Sequence, residues 1–153
     1  MTKQNLINKM NVQLANWNVL NTKLHHYHWF VKGPDFFVLH EKFEEIYNEV
    51  AGTIDELAER ILTIGGKPIS TLREYLDNTT LEEAKGEETA VDMVELLAKD
   101  FEQLSNELSE VIEAAENEND HPTADLFIGL KGSLEKQSWM LQAYLDKSLV
   151  KAH

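Results

Sequence analysis

Two histidines and three carboxylates stand out for their spacing. His40 and Glu44 are four residues apart, and Asp55 and Glu59 repeat that interval. On a helix, residues four apart share a face. Eleven positions separate Glu44 from Asp55, which at ~100° each returns to within ~20° of the same direction. Both pairs therefore edge one side of a single helix. His28 and His40 lie equally far from Pro34. In an antiparallel hairpin turning at Pro34 they stand at one height, with Glu44 one turn away. Imidazole nitrogen and carboxylate oxygen suit ferrous iron and leave coordination positions open. Any one charged pair is an ordinary solvated helix feature, and a lone apolar-face histidine is ordinarily a core histidine. The conjunction is what suggests ligands.

One chain cannot complete this set. Eleven positions along a helix span ~16 Å, far beyond the reach of one metal site. Two copies crossing antiparallel about a twofold axis near Glu49 and Val50 bring His40 and Glu44 of one against Asp55 and Glu59 of the other. An isologous dimer then carries two such sites. The alternative, a centre inside one bundle, uses Glu-x-x-His on two helices. The sequence has only Glu118 to His121 in that form, just before Pro122. His25 and His26 read as a solvated or crowded helix face.

Four amphipathic stretches position these residues. Leu6, Met10, Leu14, Trp17, Leu24 and Val31 form one stripe, and His28 lies on it. Gly33-Pro34-Asp35 breaks it. Phe36, Leu39, Phe43, Ile46, Val50, Ile54, Leu57, Ile61 and Ile64 form the second, ended by Gly65-Gly66 and Pro68. Thr71 to Glu74 has the form of a capping box and opens a short helix through Leu76. Residues 77–88 read as loop. The third long helix starts near Thr89, with Val94, Leu97, Phe101, Leu104, Leu108, Val111 and Ala115 inward. Pro122 suits the first turn of a fourth, with Leu126, Leu130, Leu134, Leu141 and Leu145 toward the core. The expectation is an all-α, ferritin-like four-helix bundle with a short helix in the long crossover between its second and third helices.

The 153 residues suit a single domain, 1–153. No Cys is present, which excludes disulfides and thiolate metal sites. No signal-like start and no long apolar run are evident, so the expectation is a cytoplasmic chain without membrane contact. A net charge of −13 disfavours nucleic acid and favours cations. Lys3, Lys9, Lys147 and Lys151 make only thin basic patches at the two ends.

The run His28-Trp29, Gly33-Pro34, Phe36-Phe37 and Leu39 to Lys42, followed by Asp55 to Arg60 and Gly65-Gly66, resembles the Dps family of miniferritins. The resemblance extends through Trp139-Met140. It implies a dodecameric hollow shell that oxidises ferrous iron, preferably with hydrogen peroxide, and stores ferric mineral. It implies ferroxidase sites between subunits, with His28, His40 and Glu44 from one and Asp55 and Glu59 from the other. Many relatives have Asp where this sequence has Glu44, which keeps the carboxylate and lengthens its reach. Trp29 and Trp139 resemble family tryptophans that take up stray oxidising equivalents; plain core packing is the alternative. Glu116, Asp120 and Asp125 fall where the resemblance implies a threefold iron-entry channel, with His121 beside them; for the two aspartates, helix capping is the alternative. Direct DNA binding is expected to be weak or absent. A DNA-compacting stress protein with incidental metal binding is the competing expectation.

Overall fold

A computed structural model of the chain describes residues 2–146. Its helices are α1 (Thr2–Phe30), α2 (Phe36–Thr63), α3 (Leu72–Asn78), α4 (Ala90–Asn117) and α5 (His121–Tyr144). Lys147, Lys151 and His153 lie outside the described residues. No strand occurs among the described residues, and no described helix is long and apolar enough to cross a membrane. Helix α1 packs chiefly against α2, and α4 against α5, while α1 also meets α3 and α4. This is the expected four-helix bundle, with the short α3 in the crossover.

Local signals set the boundaries. Gly65 takes φ +88°, and Gly65 and Gly66 donate N–H bonds back to the Leu62 and Ile61 carbonyls. That is a Schellman end to α2, and it favours Gly at the first position. A Cβ on Gly66 would come within 2.9 Å of the Ile61 side chain and 3.0 Å of the Ile7 side chain, so a larger residue there would force these side chains to shift. The Thr71–Glu74 capping box is formed, and α3 runs two residues beyond the expected Leu76. Thr89 caps α4 in a second capping box, with Asp92. Helix α4 ends through Asn119, at φ 57°, with N–H bonds from Asn119 and Asp120 to the Glu116 and Ala115 carbonyls. Asp120 then caps α5 at once, which keeps this connection short.

The core fills the space between the four long helices. Tyr27, Phe43, Phe101 and Phe127 are its largest fully buried side chains. Each buried aromatic or leucine contributes about 1.5–3 kcal/mol relative to exposure. The first three stripes are inward largely as read, although Phe36 and Ile54 are only half-buried. The α5 leucines also face the core, to differing depths. Leu134 and Leu141 are buried, but Leu126, Leu130 and Leu145 are half-buried, and Phe127, with Thr123 and Ala124, takes the inward line. Phe127, Leu134 and Leu141 are spaced by seven, so the helix turns on that seam, and the other leucines flank it.

Buried polar groups tie the crossover to α1 and α4. Asn16 is fully buried; its side-chain oxygen accepts from the Thr80 N–H and the Thr79 hydroxyl, both at 2.7 Å. Glu107 on α4 accepts from Gln13, Asn16, Thr80 and Gln103. Lys23 donates to the Glu82 carbonyl at 2.9 Å and to the Asp100 carboxylate at 2.8 Å. Glu88 accepts from the backbone of Lys85 and Gly86 and from the Tyr27 hydroxyl. These groups thus have the partners that offset their desolvation, whereas the buried side-chain oxygens of Asn21 and Gln137 have none among the described residues.

Candidate metal centre

The break at Gly33-Pro34 returns α2 along α1 and brings His28 and His40 together. Their rings stack with centroids 3.7 Å apart and planes 12° apart. Each ring is tied to the other residue's main chain: His28 Nδ1 lies 2.6 Å from the His40 carbonyl oxygen, and His40 Nδ1 lies 2.7 Å from the His28 carbonyl oxygen. A carbonyl oxygen only accepts, so Nδ1 of each ring carries the proton. The His28 carbonyl belongs to the last turn of α1, where helical partners run out, which is why it is open to His40. With Nδ1 carrying the proton, the neutral form of each ring presents its lone pair at Nε2, the form that ligates a metal. An Nδ1–H bond to a main-chain carbonyl is a common support of metal-binding histidine.

Glu44 stands beside them. Its carboxylate is 3.6 Å from His28 Nε2, and the side chain is 51% exposed. His28 is buried and His40 half-buried, so the centre has a sheltered imidazole side and an open carboxylate side. Asp55 and Glu59 lie exposed further along α2. Among the described residues, no group of three His, Cys, Asp or Glu side chains of one chain could hold a metal ion. The structure thus sets His28 against His40 on one side and Glu44 on the other, with Asp55 and Glu59 further along α2.

Other rings surround the pair. Phe36 stacks on His40 at 4.8 Å, and Tyr47 stands perpendicular to His28 at 5.4 Å. His25 stacks on Tyr47 at 3.8 Å, and its Nδ1 donates to the Asn21 carbonyl at 2.7 Å. Sequence reading missed Tyr47; its one signal was a position three residues beyond Glu44. Neither candidate tryptophan packs in the core of the chain. Trp29 is 67% exposed and flanks His25, with centroids 5.6 Å apart. Trp139 is 66% exposed and lines a depression with Lys99 and Gln142.

The three entry-channel candidates have different surroundings. Asp120 caps α5 through the Thr123 N–H and pairs with Arg60 at 3.1 Å. Burial would raise its pKa, but the Thr123 hydroxyl and amide and the Arg60 guanidinium outweigh this and hold it below the usual carboxylate value. Its alternative reading as a cap is therefore the observed contact. Glu116 and Asp125 are exposed, and His121 is the first residue of α5.

A profile described as the ferritin-like domain matches residues 7–149. The chain is 53% identical over 147 residues to DNA protection during starvation protein 2 of Bacillus anthracis, covering 96% of this chain and 100% of that one. The crystal structure of a Dps protein from Bacillus brevis superposes with a TM-score of 0.94 at 47% identity, covering 95% of this chain and 97% of that chain. The chain belongs to the Dps family. A second Dps structure, from Staphylococcus aureus, gives a TM-score of 0.92 at 48% identity, covering 94% and 96%. General stress protein 20U of Bacillus subtilis, 49% identical over 142 residues, covers 93% of this chain and 98% of its own.

Proposed function

We propose that this Dps-family protein oxidises ferrous iron at sites shared between two copies of the chain and stores the ferric product in a hollow shell of twelve. The observation that carries the reading is the imidazole pair: both Nδ1 atoms are engaged by main-chain carbonyls, and His28 Nε2 faces the Glu44 carboxylate. His28, His40 and Glu44 bind iron from one subunit, and Asp55 and Glu59 of a second copy complete the ligand set. Iron is the substrate and cargo. Exposed Phe37, Val38 and Leu62 on α2, with Trp29 and Phe30 at the end of α1, suit burial against further copies.

Hydrogen peroxide is the preferred oxidant in this reading. Each peroxide takes one electron from each of two ferrous ions, its O–O bond breaks, and two hydroxides and two ferric ions result. Both reactants that would otherwise generate hydroxyl radical are consumed, which protects the cell from oxidative damage. Trp29 and Trp139 take up stray oxidising equivalents. Glu116, Asp120 and Asp125 draw ferrous iron through the shell. The protein works in the cytoplasm, and direct DNA binding contributes little, because assembly multiplies a formal charge of −13 per chain. Stopped-flow absorbance after anaerobic ferrous loading tests the reading. Oxidation should be faster with peroxide than with dioxygen. Equal or slower oxidation would remove peroxide detoxification and leave iron storage.

A further inference from the structure

The hydrogen bonds at Nδ1 do not by themselves fix the two imidazoles. The final torsion of a histidine side chain is broad, and a ring held at one atom can still swing about that bond. A swing displaces Nε2, the atom offered to the metal. What removes the freedom is contact with neighbouring rings, and the structure supplies it at both ends of the pair, stacked at His40 and edge-on at His28. Phe36 stacks on His40 with planes 23° apart, and Tyr47 stands against His28 with planes 88° apart. Tyr47 is backed in turn by His25, at 3.8 Å and 18°. Its ring is thus held between an imidazole that faces the candidate centre and one that does not.

We propose that Phe36 and Tyr47 are positioning residues for the metal centre, flanking the stacked His40–His28 pair and fixing the direction of both Nε2 atoms. The inference rests on the reading of His28 and His40 as ligands. It assigns the work to the aromatic rings and not to the Tyr47 hydroxyl. Substituting groups that orient a ligating histidine typically weakens metal binding tenfold to a hundredfold. A leucine at 36 or 47 keeps apolar bulk but loses the rigid planar ring, so the effect should fall on metal geometry more than on folding.

The test is anaerobic titration of the assembled full-length protein with cobalt(II), whose visible absorption reports coordination geometry as well as occupancy. Tyr47→Leu should weaken cobalt binding at least about tenfold and alter the band shape, while Tyr47→Phe stays within about twofold of wild type. Phe36→Leu should act in the same direction and carries the test alone if Tyr47→Leu does not assemble. In ferrous oxidation, the leucine variants should lose more in KM than in kcat. Wild-type affinity and spectrum in both leucine variants would overturn the positioning role while leaving the ligand assignment intact. Cobalt binding equally well in His40→Ala and wild type would instead overturn the ligand assignment, and the positioning role with it.

Discussion

Replacing Lys23 with Met should destabilise the fold by about 3–5 kcal/mol at neutral pH, the usual cost of leaving one buried charge without its partner. Lys23 and Asp100 meet at 2.8 Å with side chains only 4% and 13% exposed. Met reproduces most of the length of Lys, so the change removes charge and two hydrogen bonds more than volume. For a chain of this size the melting temperature should fall by roughly 6–20 °C. Burial pushes the Asp100 carboxyl above its ordinary value, and the Lys23 hydrogen bond and charge oppose that rise. Without Lys23 the group should rise further. A carboxyl raised in the folded state gives a contribution fully present below its unfolded pKa and lost as pH rises through its folded one. The Lys23→Met deficit should therefore be largest at neutral pH and shrink toward about pH 4. Urea denaturation at matched protein concentration measures it. Lys23→Met with Asp100→Leu should recover most of the loss, because an apolar pair needs no compensation. A single variant within about 1 kcal/mol of wild type, or a deficit that ignores pH, would refute the reasoning.

Glu88 offers the opposite pH dependence. Burial would raise its pKa, but the N–H groups of Lys85, Glu88 itself and Gly86, with the Tyr27 hydroxyl, hold it at about 2 against an ordinary 4.5. Its contribution is present above the unfolded value and lost as pH falls through the folded one, so the stability gap between wild type and Glu88→Gln should narrow on acidification below 4.5, followed by urea midpoints. Asp120→Ala should cost about 1–2 kcal/mol by removing the α5 cap and the Arg60 pair, read by thermal melting. Glu116→Gln with Asp125→Asn should leave melting nearly unchanged while slowing iron uptake and reducing its salt sensitivity; unchanged uptake in assembled shells would place entry elsewhere.

The helices were legible because their ends carry local chemistry. Gly33-Pro34, the Thr71–Glu74 box, Thr89 and Pro122 each act within a turn of the chain. The α5 seam was less fully legible: Leu126 and Leu130 do pack on the core but stay partly exposed, and the fully buried Phe127 was not read. The juxtaposition of His28 and His40 followed from their equal distance to Pro34. Their reciprocal bonds to main-chain carbonyls did not, since those depend on where α1 stops. Lys23 and Asp100 lie 77 residues apart, and no periodicity links them. Asp120 read first as a cap, which it is, while its Arg60 partner comes from a distant helix that no local signal reveals.

The division of Asp55 and Glu59 from His40 along one helix makes the shared site the central claim. Its most direct measurement is complementation between His40→Ala and Asp55→Ala chains, each assembled alone and then co-assembled in equal amounts. A mixed dimer has one site with both defects and one with neither. Separately, each variant should be nearly inactive in ferrous oxidation. Co-assembled, random pairing should restore roughly a quarter of the wild-type sites and a matching share of activity. A mixture no more active than its two parents would contradict a centre built from two chains.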